Sequence, residues 1–291
     1  MAAEKDIIVA LELATTAIRA IAGQRLPDST MQVIAYAEEN ATTCIRKGII
    51  DNIDKTTQAI SRVLGHISLQ LGKTVSHVHV GIGGQSLHSV LNRIQRNFSE
   101  KTQVPNHIID QIMITNSGVV YADSEILEVV PQEYKVGSRI IADIVGMQVE
   151  QLEANFLNII ARKSLKENIQ KCVKNAGFEI ADLLIAPLTL GDSVLSASEK
   201  RSGCALADIG ADTTTISIYT NNILRKLIVL PIGANNVTND IAQCLKIEID
   251  EAEILKNKYN VDVKFPGAGN GLIEAEPHAE SPVKLCVAPE N

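Results

Sequence analysis

The stretch from Cys204 to Tyr219 reads CALADIGADTTTISIY. An apolar run, Cys204 to Ile209, breaks at Asp208-Ile209-Gly210 and restarts with Thr213, Thr215 and Ser217 alternating against Thr214, Ile216 and Ile218. Alternation of period two on both sides of a short break predicts two strands joined by a tight turn. Gly210 lacks a Cβ and can take φ > 0, so N–H groups near it are able to wrap an anionic oxygen beside Asp208, helped by the hydroxyls of Thr213 and Thr214. An Asp-x-Gly hairpin is also an ordinary turn, and alone the motif fits either reading.

A second copy stands near the N-terminus. Ile7 to Leu11 is an apolar strand, Glu12-Leu13-Ala14-Thr15-Thr16 follows, and Ile18 to Ala22 restarts the pattern. The acid, the small residue two positions later and the Thr pair all recur. In each copy a third strand follows (Met31 to Glu38, then Ile223 to Leu230) and then a helix (Thr56 to Leu71, then Val237 to Leu245). A βββα unit used twice predicts two facing half-sites.

These residues resemble the actin-like ATPases, and within them the FtsA family of bacterial division proteins. The resemblance rests on Asp208-Ile209-Gly210 with Thr213-Thr214, on Glu12-Leu13-Ala14-Thr15-Thr16, on Gly81-Ile82-Gly83-Gly84, on Pro231-Ile232-Gly233 and on Ala252-Glu253-Ile254-Leu255-Lys256, over residues 5–264. It implies an α/β, actin-like (ribonuclease H-like) two-domain fold with Mg-ATP in the cleft between the domains. By matching positions, Thr15 and Thr16 would line phosphate oxygens from domain I, and Asp208, Gly210, Thr213 and Thr214 from domain II. Gly233 would approach the α-phosphate region, Glu253 and Lys256 would meet ribose and adenine, and Glu12 and Asp208 would hold Mg2+.

The chain departs from the family pattern in ways that matter unequally. Glu12 stands for Asp, Ala14 for Gly, Asp212 for Gly, and Thr215 for a second Asp. Glu12 is one methylene longer and still reaches Mg2+ through water, since that ion keeps several of its waters. Ala14 puts a Cβ where backbone should close on phosphate. The Asp212 carboxylate, about 6 Å from a phosphate charge at an effective dielectric of ~20, costs roughly 3 kcal/mol per charge pair unless its side chain turns away. ATP binding is therefore expected to be weak or absent, with a weak ATPase and a nucleotide-binding pseudo-enzyme both left open.

Composition bounds the rest. The chain has 291 residues, 45% hydrophobic but only 3% aromatic with no Trp, so its core must be built from Ile, Val, Leu and Ala. With 27 basic against 34 acidic residues it carries a formal charge of -7, and no basic block invites nucleic acid. Five cysteines without a C-x-x-C spacing predict reduced, mostly buried thiols. No signal peptide and no 18-residue apolar run is visible, which predicts a cytoplasmic chain. His77-Val78-His79 puts two rings on one sheet face, without a third ligand for a metal.

Along the chain, residues 1–84 and 163–200 read as domain I and 85–162 as a small α+β insert, with a strand at Leu87 to Phe98, a helix at His107 to Thr115, and runs Glu125 to Val130 and Glu133 to Val136. Domain I resumes with a helix Ser164 to Asn175, a strand Ile180 to Ala186 and a helix opened by Pro187 and running Leu188 to Ser198. Residues 201–264 read as the first part of a domain II that is incomplete, the late glycine-rich adenosine turn being unrecognisable in Gly267 to Gly271. Residues 265–291 read as a disordered tail, so the chain is a shortened or divergent relative or a fragment.

What the resemblance implies for function is an adaptor that assembles with FtsZ and other division proteins at the inner face of the cell membrane, and with itself through the insert. Membrane contact is expected only through a missing segment or a partner, and Lys246, Lys256 and Lys258 offer cations to an acidic peptide. The alternative is another nucleotide-using protein of the same superfold, a kinase-type enzyme or a PilM-like pilus-assembly ATPase.

Overall fold

Alternating apolar residues build the first hairpin of the computed structural model, which describes residues 7–258. Strands β1 (Ile7–Leu13) and β2 (Ala17–Arg25) pair antiparallel and bury Val9 and Leu11 against Ile18, Ala20 and Ala22. Strand β3 (Met31–Asn40) extends the sheet, adding Ala35 and Ala37 to the same face. Two short strands, β4 (Ile45–Arg46) and β5 (Ile49–Ile50), follow, joined by Lys47 and Gly48 at φ 52 and 69, the two-residue hairpin turn whose twist suits antiparallel strands. Helix α1 (Ile53–Leu71) is capped by Asn52, whose side chain accepts the Lys55 N–H, and stopped by Gly72 in the left-handed region. It lays Ile60, Val63, Leu64 and Ile67 over the alanines of β2 and β3. Strand β6 (His77–Ile82) then joins β1 in parallel.

The insert follows. Strand β7 (His88–Gln103), helix α2 (Asn106–Ser117), β8 (Ser124–Val136), β9 (Arg139–Ile141) and β10 (Gln148–Arg162) form one sheet in the order β7-β10-β8-β9, with α2 on one face. Two sequence readings change here. The runs Glu125 to Val130 and Glu133 to Val136 are one strand, β8, and the break between them is a bulge: Ala154 faces Tyr134 while Phe156 faces Pro131, which sets Gln132 and Glu133 against the single residue Asn155. Strand β10, which no alternation marked, is the centre of the sheet. Its Leu152, Ala154 and Phe156 fill the insert core, whereas Leu157, Ile159 and Ala161 fill the core of domain I. In its middle lies a buried polar cluster, Asn158 exchanging hydrogen bonds with Asn116, joined by Asn92 and the Tyr121 hydroxyl.

Helix α3 (Lys163–Asn175) packs beside α1, and β11 (Glu179–Ile185) closes a sheet of order β11-β6-β1-β2-β3. The single helix expected from Leu188 to Ser198 is two, α4 (Ala186–Val194) and α5 (Ala197–Ser202). Leu195 and Ser196 are extended, because Ser196 forms a capping box with Glu199 and so starts a new helix.

The second half-site opens with β12 (Cys204–Ile209), β13 (Thr214–Thr220) and β14 (Ile223–Leu230), paired in that order. On β13 the inward face is Thr215, Ser217 and Tyr219, and Ile218 is exposed, so period two located the strand without telling which face is buried. Tyr219 lies against Gly191 of α4, where any Cβ would collide with its ring, and burial pushes its hydroxyl up to about 12. Helices α6 (Ala234–Leu245) and α7 (Ile249–Lys258) pack on each other through Thr238, Ala242 and Ala252. The tail expected at 265–291, with Gly267 to Gly271 and Cys286, lies outside the described residues; of the other cysteines Cys44 and Cys172 are buried, Cys204 is half-buried and Cys244 is exposed.

The insert also grips the second half-site. Ser89 Oγ donates to the Leu227 carbonyl at 3.1 Å and accepts its N–H at 2.8 Å, and Gln132 Nε2 donates to the Leu224 carbonyl at 3.0 Å. Arg225 forms a two-bonded ion pair with Glu133 and donates to Gln132 Oε1 at 2.9 Å. The bulge in β8 thus supplies two of the three side chains that hold β14, and β7 supplies Ser89.

Gly48 and Gly84, both at positive φ, are in backbone contact: a Cβ on Gly48 would lie 2.6 Å from the Gly84 Cα. Gly84→Ala is expected to cost at least about 3 kcal/mol, as clash adds to left-handed strain, whereas Gly137→Ala, at positive φ in open space, should cost about 1–2 kcal/mol. Urea midpoints of the two variants check this; equal losses would contradict it. The hydrogen bonds from Arg225 hold the Glu133 carboxyl below its ordinary 4.5. Its contribution is then complete above pH 4.5 and is lost as pH falls through the lowered folded value. Arg225→Ala should cost about 1 kcal/mol at pH 7 and flatten that acid-side loss, read from melting temperature against pH.

Candidate functional site

The two hairpin tips are built alike. In the first, the Ala14 N–H donates to the Ala17 carbonyl at 3.0 Å and leaves Thr15 and Thr16 at the turn. In the second, the Gly210 N–H donates to the Thr213 carbonyl at 2.8 Å and leaves Ala211 and Asp212 there. Gly210 does not use the positive φ expected of it; it is wanted for space, since a Cβ would stand 3.2 Å from the Thr213 carbonyl oxygen. Both tips reach the Lys47-Gly48 turn: the Gly48 N–H donates to Thr15 Oγ1 and the Lys47 N–H to Asp212 Oδ2, each at 3.2 Å. The half-sites predicted from the repeat therefore face one another across this turn.

The other predicted residues take definite partners. The Thr16 carbonyl accepts the Ala41 N–H at 2.9 Å, and the Thr214 hydroxyl donates to the Ile232 carbonyl at 2.7 Å, tying β13 to the Pro231-Ile232-Gly233 segment. Gly233, the N-cap of α6, makes its close approach to the hairpin backbone: a Cβ there would lie 2.6 Å from the Ala211 carbonyl carbon. The N–H groups of Ala234 and Asn235 donate to the Gly210 and Ala211 carbonyls at 2.9 and 2.8 Å. Two of the four N–H groups that a helix start leaves open are thus already filled by the hairpin. Glu253 and Lys256 pair at 2.8 Å as their spacing predicts, and Glu253 also accepts from the Thr238 hydroxyl at 2.6 Å, so the pair is tied to α6. Burial raises the Glu253 carboxyl, but the bonds from Lys256 and Thr238 outweigh it and bring it below the ordinary value. Lys256, held in that pair and largely covered, is not the exposed cation its sequence suggested.

The electrostatics run through Glu12. Its cross-strand neighbour Arg19 lies 3.4 Å from its carboxylate and 2.9 Å from that of Glu38. Asp208 keeps an exposed surface, yet the walls around it, and next the Glu12 charge, push its carboxyl above the ordinary value. Two facing carboxylates of this kind suit a cation. Among the described residues no three His, Cys, Asp or Glu side chains converge on one point. Sequence reasoning missed Arg19, Lys47, Gly48 and Asn235. Arg19 was findable from the β1–β2 register, and Lys-Gly between two short apolar pairs is a faint two-residue turn signal.

Two family models match the chain: the SHS2 domain inserted in FtsA over residues 84–160 and cell division protein FtsA over residues 205–272. Cell division protein FtsA of Pseudomonas aeruginosa is 29% identical over 268 residues, covering 91% of this chain and 64% of that protein. That of Porphyromonas gingivalis is 31% identical over 265 residues (88% and 54%), and that of Bacillus subtilis 29% over 256 residues (87% and 58%). The chain thus spans between about half and two thirds of the length of these relatives. Among solved structures, the PilM-PilN type IV pilus biogenesis complex aligns with a TM-score of 0.60 at 16% identity, over 87% of this chain and 69% of that one. The ethanolamine utilization protein EutJ from Carboxydothermus hydrogenoformans aligns with a TM-score of 0.50 at 13% identity, over 88% and 62%. These two likenesses speak for the fold, while the SHS2 match falls on the segment between β6 and α3 and the FtsA match begins at β12. With both pieces in that order on an actin-like scaffold, the chain belongs to the FtsA family.

Proposed function

We propose that this chain acts as an FtsA-type division adaptor: it assembles with FtsZ at the inner face of the cell membrane and with copies of itself through the insert, and it binds Mg-ATP weakly. The observation that carries the reading is the insert in its place, built on domain I and gripping β14, beside a cleft where both hairpin tips meet one turn. On this reading residues 1–84 and 163–200 form domain I, 85–162 the insert and 201–264 the beginning of domain II. No helix among the described residues is long and apolar enough to cross a membrane, and attachment runs through a partner or another segment. A bound Mg2+ would supply charge neutralisation between phosphate oxygens and the carboxylates of Glu12 and Asp208. Thr15, Asp208, Gly210 and Thr213 would surround the phosphates, Thr16 and Thr214 supporting the two turns, with Gly233 holding the α6 start close and Glu253 and Lys256 beside the nucleoside.

The partner surface we assign is the pair α6 and α7. It exposes Val237, Leu245, Ile249 and Ile254 together with Lys246, an apolar strip beside a cation that suits a short amphipathic acidic peptide.

Two measurements test these roles. Isothermal titration with Mg-ATP should give a Kd weaker than roughly 100 μM, and Glu253→Ala should weaken it further by about tenfold; micromolar binding by the unmodified chain would refute weak binding. Anisotropy titration with the C-terminal peptide of FtsZ from the same organism should show saturable binding that Leu245→Ser or Lys246→Glu reduces by about three- to tenfold. A peptide that binds neither this chain nor the full-length gene product would sink the adaptor reading.

A further inference from the structure

The Lys47-Gly48 turn offers two consecutive backbone N–H groups, and different halves of the molecule take them. Gly48 donates to Thr15 of the first hairpin, Lys47 to the carboxylate of Asp212 on the second. The other oxygen of that carboxylate accepts from Asn235 Nδ2 at 2.8 Å, and Asn235 sits in the first turn of α6, its own N–H bound to the Ala211 carbonyl. The turn is braced from behind as well, since the Lys47 carbonyl accepts the Gln85 N–H at 3.0 Å and Gly48 abuts Gly84. A carboxylate with both oxygens engaged, one of them across the gap between the hairpins, is not a solvated turn residue.

We propose that Asp212 is an internal anion: its carboxylate occupies the position at the hairpin tip that suits a phosphate oxygen, and it clasps the second half-site to domain I. Bonds of this kind are charge-assisted, and the tethered group is present at an effective concentration that a free ligand has to outcompete. Asp212 thus determines which anions enter, because a ligand must displace it before the Lys47 N–H becomes available. The clasp stands on the hydrogen bonds alone; only its rivalry with phosphate rests on the nucleotide reading given above.

Amide hydrogen exchange on the whole chain tests both parts. Asp212→Gly should raise exchange at Lys47 roughly 10- to 100-fold, with strand β10 unchanged as the sign of an intact fold. Asp212→Asn, which keeps an acceptor but loses the charge, should raise it less, and this conservative variant serves where the glycine variant folds poorly. Exchange at Lys47 within twofold of the unmodified chain in both variants would overturn the clasp, whatever nucleotide does. Mg-ATP titration of the same proteins separates the second part: tightening of tenfold or more in Asp212→Gly, together with faster exchange, supports the rivalry. Faster exchange with no Mg-ATP binding by either protein leaves the clasp standing and removes the nucleotide reading. Tighter Mg-ATP binding without faster exchange reduces Asp212 to plain charge repulsion and ends the clasp.

Discussion

Two glycines in backbone contact, Gly48 and Gly84, govern what faces the cleft. Neither can carry a side chain, because a Cβ on Gly84 would also stand 3.3 Å or less from three backbone atoms of Gly48. Their approach places the Lys47-Gly48 turn within reach of Thr15 on one side and Asp212 on the other. Remove that closeness and the two hairpins, far apart in sequence, lose their common backbone anchor. Gly84, at the end of the run that closes β6, therefore acts through packing, since it lets one loop nest on another.

A second constraint ties the insert to both halves. Strand β10 crosses from the insert core, through the buried Asn116–Asn158 pair, into the domain I core. That polar pair is fully bonded where the two cores meet, so a slip of one residue along β10 would bury unbonded amides and expose Phe156. On its other flank the β8 bulge holds the β14 edge with Gln132 and Glu133, and Ser89 of β7 closes a further backbone gap. An edge strand covered this way cannot pair with another chain, which matters for a molecule whose proposed partners include its own copies.

How much of this was legible depended on whether one environment governed a segment. The hairpins at Glu12 and Asp208, α1 and α3 declared themselves because each has a single buried face with one period. Strand β10 did not, because its polar-alternating half and its solid apolar half serve different cores and blur any period. In β13 the polar Thr215 and Ser217 lie inside, a choice set by Tyr219 packing on Gly191 and invisible in local sequence. Glu253 with Lys256 was readable from helical spacing, but the use of Asp212 was not. It depends on Lys47, 165 positions away, and only folding brings them together.

The cleft is rich in negative charge, and this bears on any ligand it takes. Glu12, Asp208 and Asp212 lie at the two tips, and Arg19, which pairs with Glu12, is divided between it and Glu38. Asp208 shows the strain, since crowding and the Glu12 charge make its ionised form less favourable than in water. A bare anion entering here meets like charges, whereas a dication between Glu12 and Asp208 relieves them and gives the anion an attractive neighbour. On the proposed reading, nucleotide would enter as its metal complex. By the same reasoning, replacing Asp212 lowers the charge at the tip and frees the Lys47 N–H in one step, while replacing Ala14 changes only space. On the proposed nucleotide reading these two departures from the family pattern are unequal: Ala14 would fill a gap beside the phosphates, and Asp212 would supply an anion of its own.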